Sequence, residues 1–571
     1  MKLAEMNRKW WKEAIVYQIY PRSFQDSNGD GVGDLRGIIE RLDYIQSLGV
    51  DVVWLNPCYR SPNDDNGYDI SDYREIMSEF GNMADFEELL AGMHARGIKL
   101  VMDLVVNHSS DEHEWFKQSR LSRDNPYRDY YHWWPAEKGT PPTRWSYFDV
   151  EGNAWKYDEP TDAYYLHYFS EKQPDLNWEN PELRKEIYDM MHFWFKKGID
   201  GFRMDVITFI SKHDGYPEFD VAYHGQNMID MYAQGPRLHE YLQEMNKEVL
   251  SHYDIMTVAE GPGTHTHNVV DLVGESRNEL NMNYHFDHQS IGVGARYLLI
   301  DEDFQDLVKF KQVMSEWDGA LSSEGWNTIY FGNHDFPRMV SRWASDAPEH
   351  RANASKMLTT YLLSMRGTPY YYMGDEIGMS NIKFDNIDDY NDLMTINWYN
   401  LTQKEGGDTH ALLEAHKITG RDNARTPIQW DNTANAGFTT GKPWLKVNPN
   451  YTSVNVAEQQ NRADSELNYF RKMVRLRKDN LTLVYGQYAL LLPEHKQLYA
   501  YTRHLDDEVL LVLLNYSDTA LSIDKVALGI SDTTDTKEAS AFILINNFSD
   551  FEMTNSTVVL RPYQAVIIKL K

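Results

Sequence analysis

The chain has 571 residues, with 56 lysines and arginines against 86 aspartates and glutamates, so its formal net charge is -30. This excess of negative charge excludes nucleic acid as a partner, because binding there depends on basic surface that displaces counterions from phosphates. It also argues against binding to anionic membranes. Hydrophobic residues make up 42% of the chain, enough for a large folded core. Aromatic residues reach 13%, and such rings suit core packing first and stacking on sugar faces second.

The only cysteine, Cys58, excludes an intramolecular disulfide and fits a reducing compartment. Charges recur every few positions near the N-terminus, without the apolar segment of a signal peptide. No segment approaches the ~20 apolar residues that cross a bilayer. We therefore expect an acidic cytoplasmic protein without a membrane partner, a monomer with a dimer as the alternative.

Short β-branched or aromatic segments alternate with helical patterns along most of the chain. The predicted strands are 14–20, 50–56, 98–106, 198–206, 254–260, 327–332 and 368–374. The predicted helices are 35–49, 84–97, 181–197 and 350–365. This alternation indicates parallel β/α units, arranged in a doubly wound sheet or a closed barrel.

Two intervals depart from the alternation. Residues 109–178 are rich in Trp, Tyr, Asp and Pro and lack helical periodicity, so we interpret them as an insertion after the third strand. From about residue 492, alternating strands with polar turns predict a separate antiparallel domain.

Ionisable residues collect where four of the predicted strands end. These residues are Asp103 and His108 on the third strand, Arg203 and Asp205 on the fourth, Glu260 on the fifth, and His334 and Asp335 on the seventh. In a parallel barrel the loops after the strands form one face, where catalytic groups gather. Any one of these acids is equally well explained as a helix N-cap or a solvated loop carboxylate. Together they indicate a single pocket.

Carboxylates, histidines and an arginine suit a reaction in which positive charge develops on the substrate. Glycoside cleavage is such a reaction, because two carboxylates flank a transition state that resembles an oxocarbenium ion. Asp205 lies two residues after Arg203 on the same strand face, so the cation favours its ionised form as nucleophile or base. Glu260 closes an apolar strand, where a carboxyl group can keep a proton near neutral pH, and is the candidate acid.

The segments DLVVNH, GFRMDV, AE and NHD, in this order and spacing, resemble the conserved regions of the α-amylase family, glycoside hydrolase family 13. The residues at 64–69, 173–177 and 420–430 are similar to the oligo-1,6-glucosidase subfamily, which also contains dextran glucosidases, α-glucosidases and sucrose isomerases. The resemblance implies an α/β fold with a (β/α)8 TIM barrel (1–107 and 179–491). It further implies an inserted loop-rich subdomain (108–178) and a C-terminal antiparallel β-sandwich (492–571).

The same resemblance implies roles for individual residues. Asp205 would be the nucleophile, Glu260 the acid/base, and Asp335 the group that binds sugar hydroxyls and stabilises the transition state. The positions that match residues around the nonreducing glucose are Asp65, Tyr68, His108, Phe169, Gln173, Arg203, His334 and Arg421. The expected partner is therefore an oligosaccharide substrate, cleaved by a double displacement that retains the anomeric configuration.

Three of the pocket residues also have ordinary structural explanations. Tyr68 is equally typical of a core aromatic. His108 alone would suit a buried, hydrogen-bonded histidine. Arg421 would suit an ion pair of small energetic value with a nearby acid.

Residues 26–34 resemble the first half of an EF-hand loop. Oxygen ligands stand at positions 1, 3, 5 and 9, namely Asp26, Asn28, Asp30 and Asp34. Position 12 is Gly37 instead of a bidentate glutamate, so the loop is not an EF-hand. The family resemblance implies a structural Ca²⁺ or Mg²⁺ held by these side chains and a backbone carbonyl near Val32, and no organic cofactor. A solvated Asx-rich turn without metal is the alternative.

Val206, directly after the implied nucleophile, is typical in this subfamily of enzymes that cleave α-1,6 bonds. We therefore predict an exo-acting α-glucosidase for isomaltose, isomalto-oligosaccharides and panose. Two departures on the aglycone side, Gly261 and Phe336, leave α-1,4 or sucrose-active glucosidases and transglucosidases as alternatives.

The Arg-Leu-Asp-Arg segment common in sucrose isomerases is absent after residues 282–288, which favours hydrolysis over isomerisation. A non-catalytic carbohydrate-binding protein is a remote alternative, because such proteins lose members of the acidic trio.

Overall fold

The computed structural model describes the chain apart from residues 1, 3, 5, 149–151, 219–225, 295–303, 531–541, 555 and 571. The strands of the described residues are β1 (Val16–Ile19), β2 (Val52–Leu55), β3 (Tyr59–Arg60), β4 (Asp72–Ile76), β5 (Lys99–Val105), β6 (Trp133–Pro135), β7 (Trp155–Asp158), β8 (Ala163–Leu166), β9 (Gly201–Asp205), β10 (Met256–Glu260), β11 (Met282–Tyr284), β12 (Thr328–Ile329), β13 (Thr368–Tyr372), β14 (Gln487–Leu491), β15 (Leu498–Leu505), β16 (Glu508–Asn515), β17 (Leu521–Asp524), β18 (Ile543–Asn546), β19 (Glu552–Met553), β20 (Thr557–Leu560) and β21 (Ala565–Lys569).

The α-helices of the described residues are α1 (Trp10–Glu13), α2 (Leu35–Glu40), α3 (Leu42–Leu48), α4 (Met83–His94), α5 (Glu114–Ser119), α6 (Pro181–Lys197), α7 (Gln226–Tyr232), α8 (Leu238–Glu248), α9 (Val269–Val273), α10 (Leu307–Ala320), α11 (Met339–Trp343), α12 (Arg351–Ser364), α13 (Leu393–Lys404), α14 (Thr409–Thr419), α15 (Asp422–Arg425), α16 (Val456–Gln460), α17 (Glu466–Asp479) and α18 (Leu481–Tyr485). None of these helices combines the length and the apolar character needed to span a bilayer.

The largest sheet closes into a parallel barrel. Its eight strands follow the order β11-β10-β9-β5-β2-β1-β13-β12. A parallel bridge between Asn283 and Asn327 joins the two edges, and the Thr328 hydroxyl donates to the Asn283 carbonyl. Strands β1, β2, β9 and β10 are buried along their whole length, as expected where helices cover a parallel sheet. The predicted (β/α)8 barrel is confirmed.

Two predicted elements differ in detail from the structure. The helix predicted over 35–49 is divided into α2 and α3, because Arg41 between them has φ -104° and ψ 9°. The Arg41 guanidinium donates to Gln25 and lies 4.1 Å from the ring centroid of Trp430, and these contacts accompany the break. The strand predicted over 327–332 is regular only in β12, since the chain then turns into the loop that carries Asp335.

After β5 the chain leaves the barrel and forms a small antiparallel sheet in the order β6-β8-β7. Antiparallel bridges pair His108 with Asp175 and Tyr131 with Leu176, and these return the chain to the carboxyl end of β5. The insertion therefore places its last residues, around Asp175 and Leu176, beside the carboxyl ends of the barrel strands.

The described residues from Gln487 onward form two antiparallel sheets, in the orders β14-β15-β16-β21-β18 and β17-β20-β19. An apolar cluster, which includes Leu511, Val558 and Ile568, joins side chains from both sheets. This is the predicted C-terminal β-sandwich, and its first strand begins slightly before residue 492.

Candidate active site

The acid-bearing strand ends converge on the carboxyl edge of the barrel. Strand β9 lies between β5 and β10, and the parallel registers pair Asp103 and Val258 with Arg203. The Arg203 side chain can therefore reach acids from both neighbouring strands. Asp205 ends β9, and Glu260 ends β10.

Arg203 connects three carboxyl groups inside the barrel. Its Nη1 donates to Asp103 Oδ1 at 2.8 Å and to Asp205 Oδ1 at 2.6 Å. Its Nη2 lies 2.5 Å from Glu260 Oε1. Because Asp205 and Glu260 bind adjacent nitrogens of one buried guanidinium, their carboxyl groups lie close together.

The two carboxyl groups titrate differently. Burial raises the pKa of Asp205 to about 6, although Arg203 and a hydrogen bond with Glu260 oppose the rise. Burial raises the pKa of Glu260 to about 8, and the charges of Asp205 and Asp335 also contribute against the opposing effect of Arg203. Near neutral pH, Asp205 is therefore ionised while Glu260 holds a proton, which is the division that an acid and a nucleophile need.

The backbone of Val206 positions Glu260. Val206 has φ 34° and ψ 39°, a left-handed conformation that β-branched residues rarely adopt and that costs ~1–3 kcal/mol. In this conformation its N–H donates to Glu260 Oε2 at 2.9 Å. Its side chain packs in a buried cluster with Tyr168 and Phe209. Local strain therefore coincides with the orientation of the candidate acid.

Asp335 is held as an anion by several neighbours. Its carboxylate lies 3.0 Å from Arg421 Nη1, 3.1 Å from Arg425 Nη2 and 3.2 Å from His334 Nε2. Burial opposes its ionisation, but the contact with the His334 ring and the charges of the two guanidiniums more than compensate and hold the pKa of Asp335 well below its usual range. A permanent carboxylate suits a group that accepts hydrogen bonds from sugar hydroxyls.

Arg425 and Asp392 belong to the charged group around Arg421 and Asp335, and neither was predicted as a site residue from the sequence. Asp392 Oδ1 accepts from Arg421 Nε at 2.9 Å and from Nη2 at 2.5 Å, and it is completely buried. Arg425 lies four residues after Arg421, and side chains at this spacing lie on the same face of a helix. This spacing could have indicated Arg425 as a neighbour of Arg421. Asp392 lies in a loop before α13 and has no strand-end signal.

One wall of the pocket is aromatic. The Tyr68 ring stacks on His334 with a centroid distance of 5.2 Å and an interplanar angle of 5°. Asn56 Nδ2 donates to the Tyr68 hydroxyl at 2.8 Å, and Gln18 Nε2 lies 2.9 Å from His334 Nδ1. Burial lowers the pKa of His334 to about 3, so the ring is neutral. The two amide residues were not predicted from the sequence.

A second group of side chains, next to Tyr68, connects the insertion to the barrel. Gln173 Nε2 donates to Asp65 Oδ2 at 3.2 Å, and His108 Nε2 lies 3.2 Å from the Tyr68 carbonyl. The Phe169 ring lies 5.1 Å from the His108 ring. Burial raises the pKa of Asp65 to about 7 against the effect of nearby guanidiniums. All predicted catalytic and pocket residues thus belong to one connected group of side chains.

Loop 26–34 has the donor chemistry of a hard-cation site. Each polar side chain accepts a hydrogen bond from a backbone N–H further along, Asp26 from Asn28, Asn28 from Asp30, Asp30 from Val32, and Asp34 from Gly37. Among the described residues, no three His, Cys, Asp or Glu side chains are gathered as metal ligands. The four side chains nevertheless offer a metal ion only oxygen ligands, and three of the four are carboxylates. Oxygen atoms are the ligands that Ca²⁺ and Mg²⁺ prefer.

Known proteins resemble this chain over nearly its full length. Residues 18–486 match the family described as Alpha amylase, catalytic domain. An oligo-1,6-glucosidase of Parageobacillus thermoglucosidasius is 51% identical over 574 residues, covering 99% of this chain and 100% of the relative. One from Bacillus cereus is 49% identical over 570 residues, with coverage of 99% and 100%. The structure of the isomaltulose synthase from Protaminobacter rubrum has a TM-score of 0.93 at 41% identity, covering 99% of this chain and 100% of that chain. The chain therefore belongs to the α-amylase family, as its motifs predicted.

Proposed function

We propose that this protein is an exo-acting, retaining α-glucosidase that hydrolyses the nonreducing-end α-1,6 bond of isomaltose, isomalto-oligosaccharides and panose. The observation that carries the proposal is the pair Asp205 and Glu260, which share the Arg203 guanidinium but differ in pKa, about 6 against about 8. The linkage is supported by the relatives named oligo-1,6-glucosidase and by Val206 after the nucleophile.

In the first step, Glu260 donates its proton to the glycosidic oxygen while the Asp205 carboxylate attacks the anomeric carbon. The bond to the aglycone breaks, and the glucose remains as an ester on Asp205. In the second step, the Glu260 carboxylate accepts a proton from water as that water attacks the same carbon. Glucose leaves with its original anomeric configuration, and both side chains return to their starting protonation states.

The spacing of the pair supports retention of configuration. Inverting enzymes keep their carboxyl groups ~6.5–9.5 Å apart so that water fits between them, whereas retaining enzymes use ~5–5.5 Å. Asp205 and Glu260 bind adjacent nitrogens of one guanidinium and share a hydrogen bond. Such proximity favours direct attack by Asp205 over attack by a water held between the two carboxyl groups.

The polar end of the pocket supports exo action. Arg421 reaches Asp335 at 3.0 Å and Asp65 at 3.9 Å, and Gln173 extends the same polar group toward His108. Arg421, Asp65, Gln173 and His108 are buried, and the Asp335 side chain is 27% exposed. This arrangement suits a site that encloses a single terminal glucose and opens at Asp335.

A product-resolved substrate panel tests the proposal. The purified protein is incubated with isomaltose, panose, dextran, maltose, sucrose and trehalose 6-phosphate, and the products are separated by chromatography. We expect glucose to be released fastest from isomaltose and panose. Much faster cleavage of maltose would contradict the role given to Val206. Isomaltulose or trehalulose accumulating from sucrose would favour the isomerase alternative, for which the similar isomaltulose synthase structure is the supporting observation.

We also propose that loop 26–34 holds a structural Ca²⁺ or Mg²⁺. Asp26, Asn28, Asp30 and Asp34 would supply side-chain oxygens, with a backbone carbonyl near Val32. The cation would neutralise an acidic loop that packs against Thr439, whose hydroxyl donates to Asp26. Elemental analysis of the protein after dialysis without chelator measures the bound ion directly, and less than ~0.1 equivalent would contradict the proposal.

A cytoplasmic location is the remaining part of the proposal. Cys58 is buried, and burial raises the pKa of its thiol to about 12, so the thiol is protected rather than reactive. This arrangement needs no oxidising compartment. Cell fractionation measures the location, and light scattering after size-exclusion chromatography decides between monomer and dimer.

A further inference from the structure

The small sheet of the insertion carries a row of aromatic side chains outside the pocket. Trp134 of β6 is paired in register with Tyr164 of β8, and Tyr164 is paired with Tyr157 of β7. Residues directly opposite one another on neighbouring strands project from the same face of a sheet. The three rings therefore form a row across all three strands, which we call the aromatic row.

The aromatic row is open to solvent at one end. The Tyr157 side chain is one of the few large hydrophobic groups that are well exposed among the described residues, at 46%. Trp134 and Tyr164 are partly exposed. The Tyr157 and Tyr164 ring centroids lie 5.1 Å apart. Neighbouring strands are ~4.8 Å apart, so the row presents ring surface over the width of the sheet.

The other end of this sheet face leads toward the pocket. Trp134 lies 6.3 Å from Trp155, which is two residues before Tyr157 on β7 and is buried. Trp155 belongs to the apolar cluster that contains Val206, and Trp134 and Tyr164 pack against that cluster. The aromatic row is thus the exposed end of a layer whose buried end lies beside the candidate nucleophile.

The polar tips of two rings are already bonded within the protein. The Tyr157 hydroxyl donates to Asp162 Oδ1 at 2.9 Å, and Trp134 Nε1 donates to the Gly139 carbonyl at 3.0 Å. A ligand therefore meets ring surface instead of these polar groups. Lys138 Nζ lies 5.6 Å from the Trp134 ring centroid, and Tyr157 is the most exposed ring of the row. A ligand that uses flat apolar faces and carries no charge suits this surface, because the protein's net charge of -30 repels polyanions.

We propose that the aromatic row of Trp134, Tyr164 and Tyr157 is a second carbohydrate-binding site, which stacks on the pyranose rings of neutral α-glucan chains such as dextran. The ligand class rests on the proposed function, since these chains contain the proposed α-1,6 linkage. The row increases the affinity for long chains and does not take part in bond cleavage.

Native gel electrophoresis with dextran in the gel tests this site. The Asp205→Asn variant is used with saturating isomaltose in gel and buffer, so that no dextran is cleaved and the pocket is occupied. We expect dextran to retard this protein. Trp134→Ala and Tyr157→Ala should each weaken the apparent dissociation constant by about three- to tenfold, as expected for loss of one stacked ring. Tyr157→Phe keeps the ring and should bind as before.

Phe542→Ala is the matched control, because Phe542 is also an exposed aromatic residue, at 51%, and lies outside the row. The proposal would be overturned if dextran did not retard the Asp205→Asn protein. It would also be overturned if Trp134→Ala and Tyr157→Ala were retarded as strongly as the parent protein, or if Phe542→Ala lost as much binding as they do. So would sedimentation data in which the row variants abolish self-association instead of dextran binding. Thermal unfolding of each variant identifies any loss of fold, and Tyr157→Ala serves if Trp134→Ala is unstable.

Activity measurements separate this proposal from the proposed function. In the protein that keeps Asp205, Trp134→Ala and Tyr157→Ala should have the wild-type kcat/KM for isomaltose. This disaccharide is too short to contact the aromatic row while it is bound in the pocket. If isomaltose is not cleaved while dextran still retards the protein, the proposed function fails and the binding site stands.

Discussion

Arg203 and its three carboxyl partners explain how two similar acids acquire different roles. One buried cation cannot stabilise the ionised form of every carboxyl around it, so burial raises the pKa of all three, to about 6 for Asp103 and Asp205 and to about 8 for Glu260. Asp205 also accepts a hydrogen bond from Glu260, which favours its charged form. Glu260 instead faces the charges of Asp205 and Asp335, which favour its protonated form.

This difference predicts a bell-shaped pH dependence of kcat/KM. Activity should fall below about pH 6, where Asp205 gains a proton and is no longer a nucleophile. It should fall above about pH 8, where Glu260 loses the proton that the leaving group needs. Initial rates on p-nitrophenyl α-glucoside at low substrate concentration measure the profile, and both limbs belong to the coupled pair. A flat profile between pH 5 and about 9 would contradict the assignment.

Replacing the nucleophile tests the same assignment more directly. Asp205→Asn should lower kcat for p-nitrophenyl α-glucoside by at least about a thousandfold, because the amide cannot form the glycosyl ester. Asp214→Asn changes an exposed aspartate in the same way and should leave kcat within about twofold. Unchanged turnover in Asp205→Asn would exclude the catalytic role.

The catalytic acids were predictable because short motifs place them at strand ends. Several pocket residues were predicted only from the family resemblance, namely Asp65, Tyr68, Phe169, Gln173 and Arg421. Arg203 was predicted beside Asp205 from strand alternation alone, and the structure adds Asp103 and Glu260 as partners. Asp392 was not predictable. Its position follows from an ion pair with Arg421 across 29 residues of loop and helix.

At the scale of elements, loop 26–34 and helix α2 form a single unit. Asp34 is the N-cap of α2, and its Oδ1 accepts from the Gly37 N–H at 2.7 Å. The same carboxylate accepts from Ser27 at the other end of the loop. One residue therefore stabilises the start of the helix and closes the proposed cation loop.

Asp34→Ala should lower the free energy of unfolding by about 1 kcal/mol through loss of the cap, and it should also remove the response to chelator. Asn82→Ala is the matched control, since Asn82 caps α4 in the same way but lies outside the loop. Differential scanning calorimetry with and without EDTA measures both effects. We expect EDTA to lower the Tm of the wild type and of Asn82→Ala but not of Asp34→Ala. An identical response in all three proteins would contradict the cation.

Most helices and strands were predictable from hydrophobic periodicity, whereas some of their boundaries were not. Helix α6 occupies the predicted residues, because Asn180 and Pro181 mark its start and Gly198 its end. The division between α2 and α3 was not predictable, since the residues around Arg41 continue the helical pattern. The contacts of Arg41 with Gln25 and Trp430 come from distant parts of the chain.

At the scale of the molecule, two buried arginines bind backbone carbonyls near the start of the C-terminal sheets, and Arg503 connects a strand of those sheets to the helices before them. Arg503 of β15 donates to the carbonyls of Ser364, Leu483, Val484 and Gly486. Arg477 of α17 donates to the Leu483 carbonyl at 2.9 Å and to three other carbonyls. Both side chains are completely buried, and they satisfy the carbonyl ends of α12 and α18.

Arg503→Leu should therefore lower the free energy of unfolding by about 3 kcal/mol or more, because several buried carbonyls lose their donors at once. Arg561→Leu removes an exposed arginine paired with Asp550 and should change it by less than about 1 kcal/mol. Urea denaturation followed by tryptophan fluorescence measures both variants. Similar midpoints for the two would show that Arg503 has no special role at the junction.

The sequence by itself determined the alternation of strands and helices, the insertion, the antiparallel C-terminal region and the positions of the acids at strand ends, and its resemblance to the α-amylase family implied the closed barrel. It could do so because strand and helix periodicity is local, and because the carboxyl ends of parallel strands meet on one face. The sequence indicated Glu260 as the candidate acid, and only the tertiary structure decided how far the pKa values of Asp205 and Glu260 differ. That depends on burial and on distances between groups far apart in the chain, such as the Val206 N–H and Glu260, which are 54 residues apart. The net charge of the chain excluded nucleic acid and argued against anionic membranes as partners. The positions of individual carboxyl groups around Arg203 support the proposed double displacement.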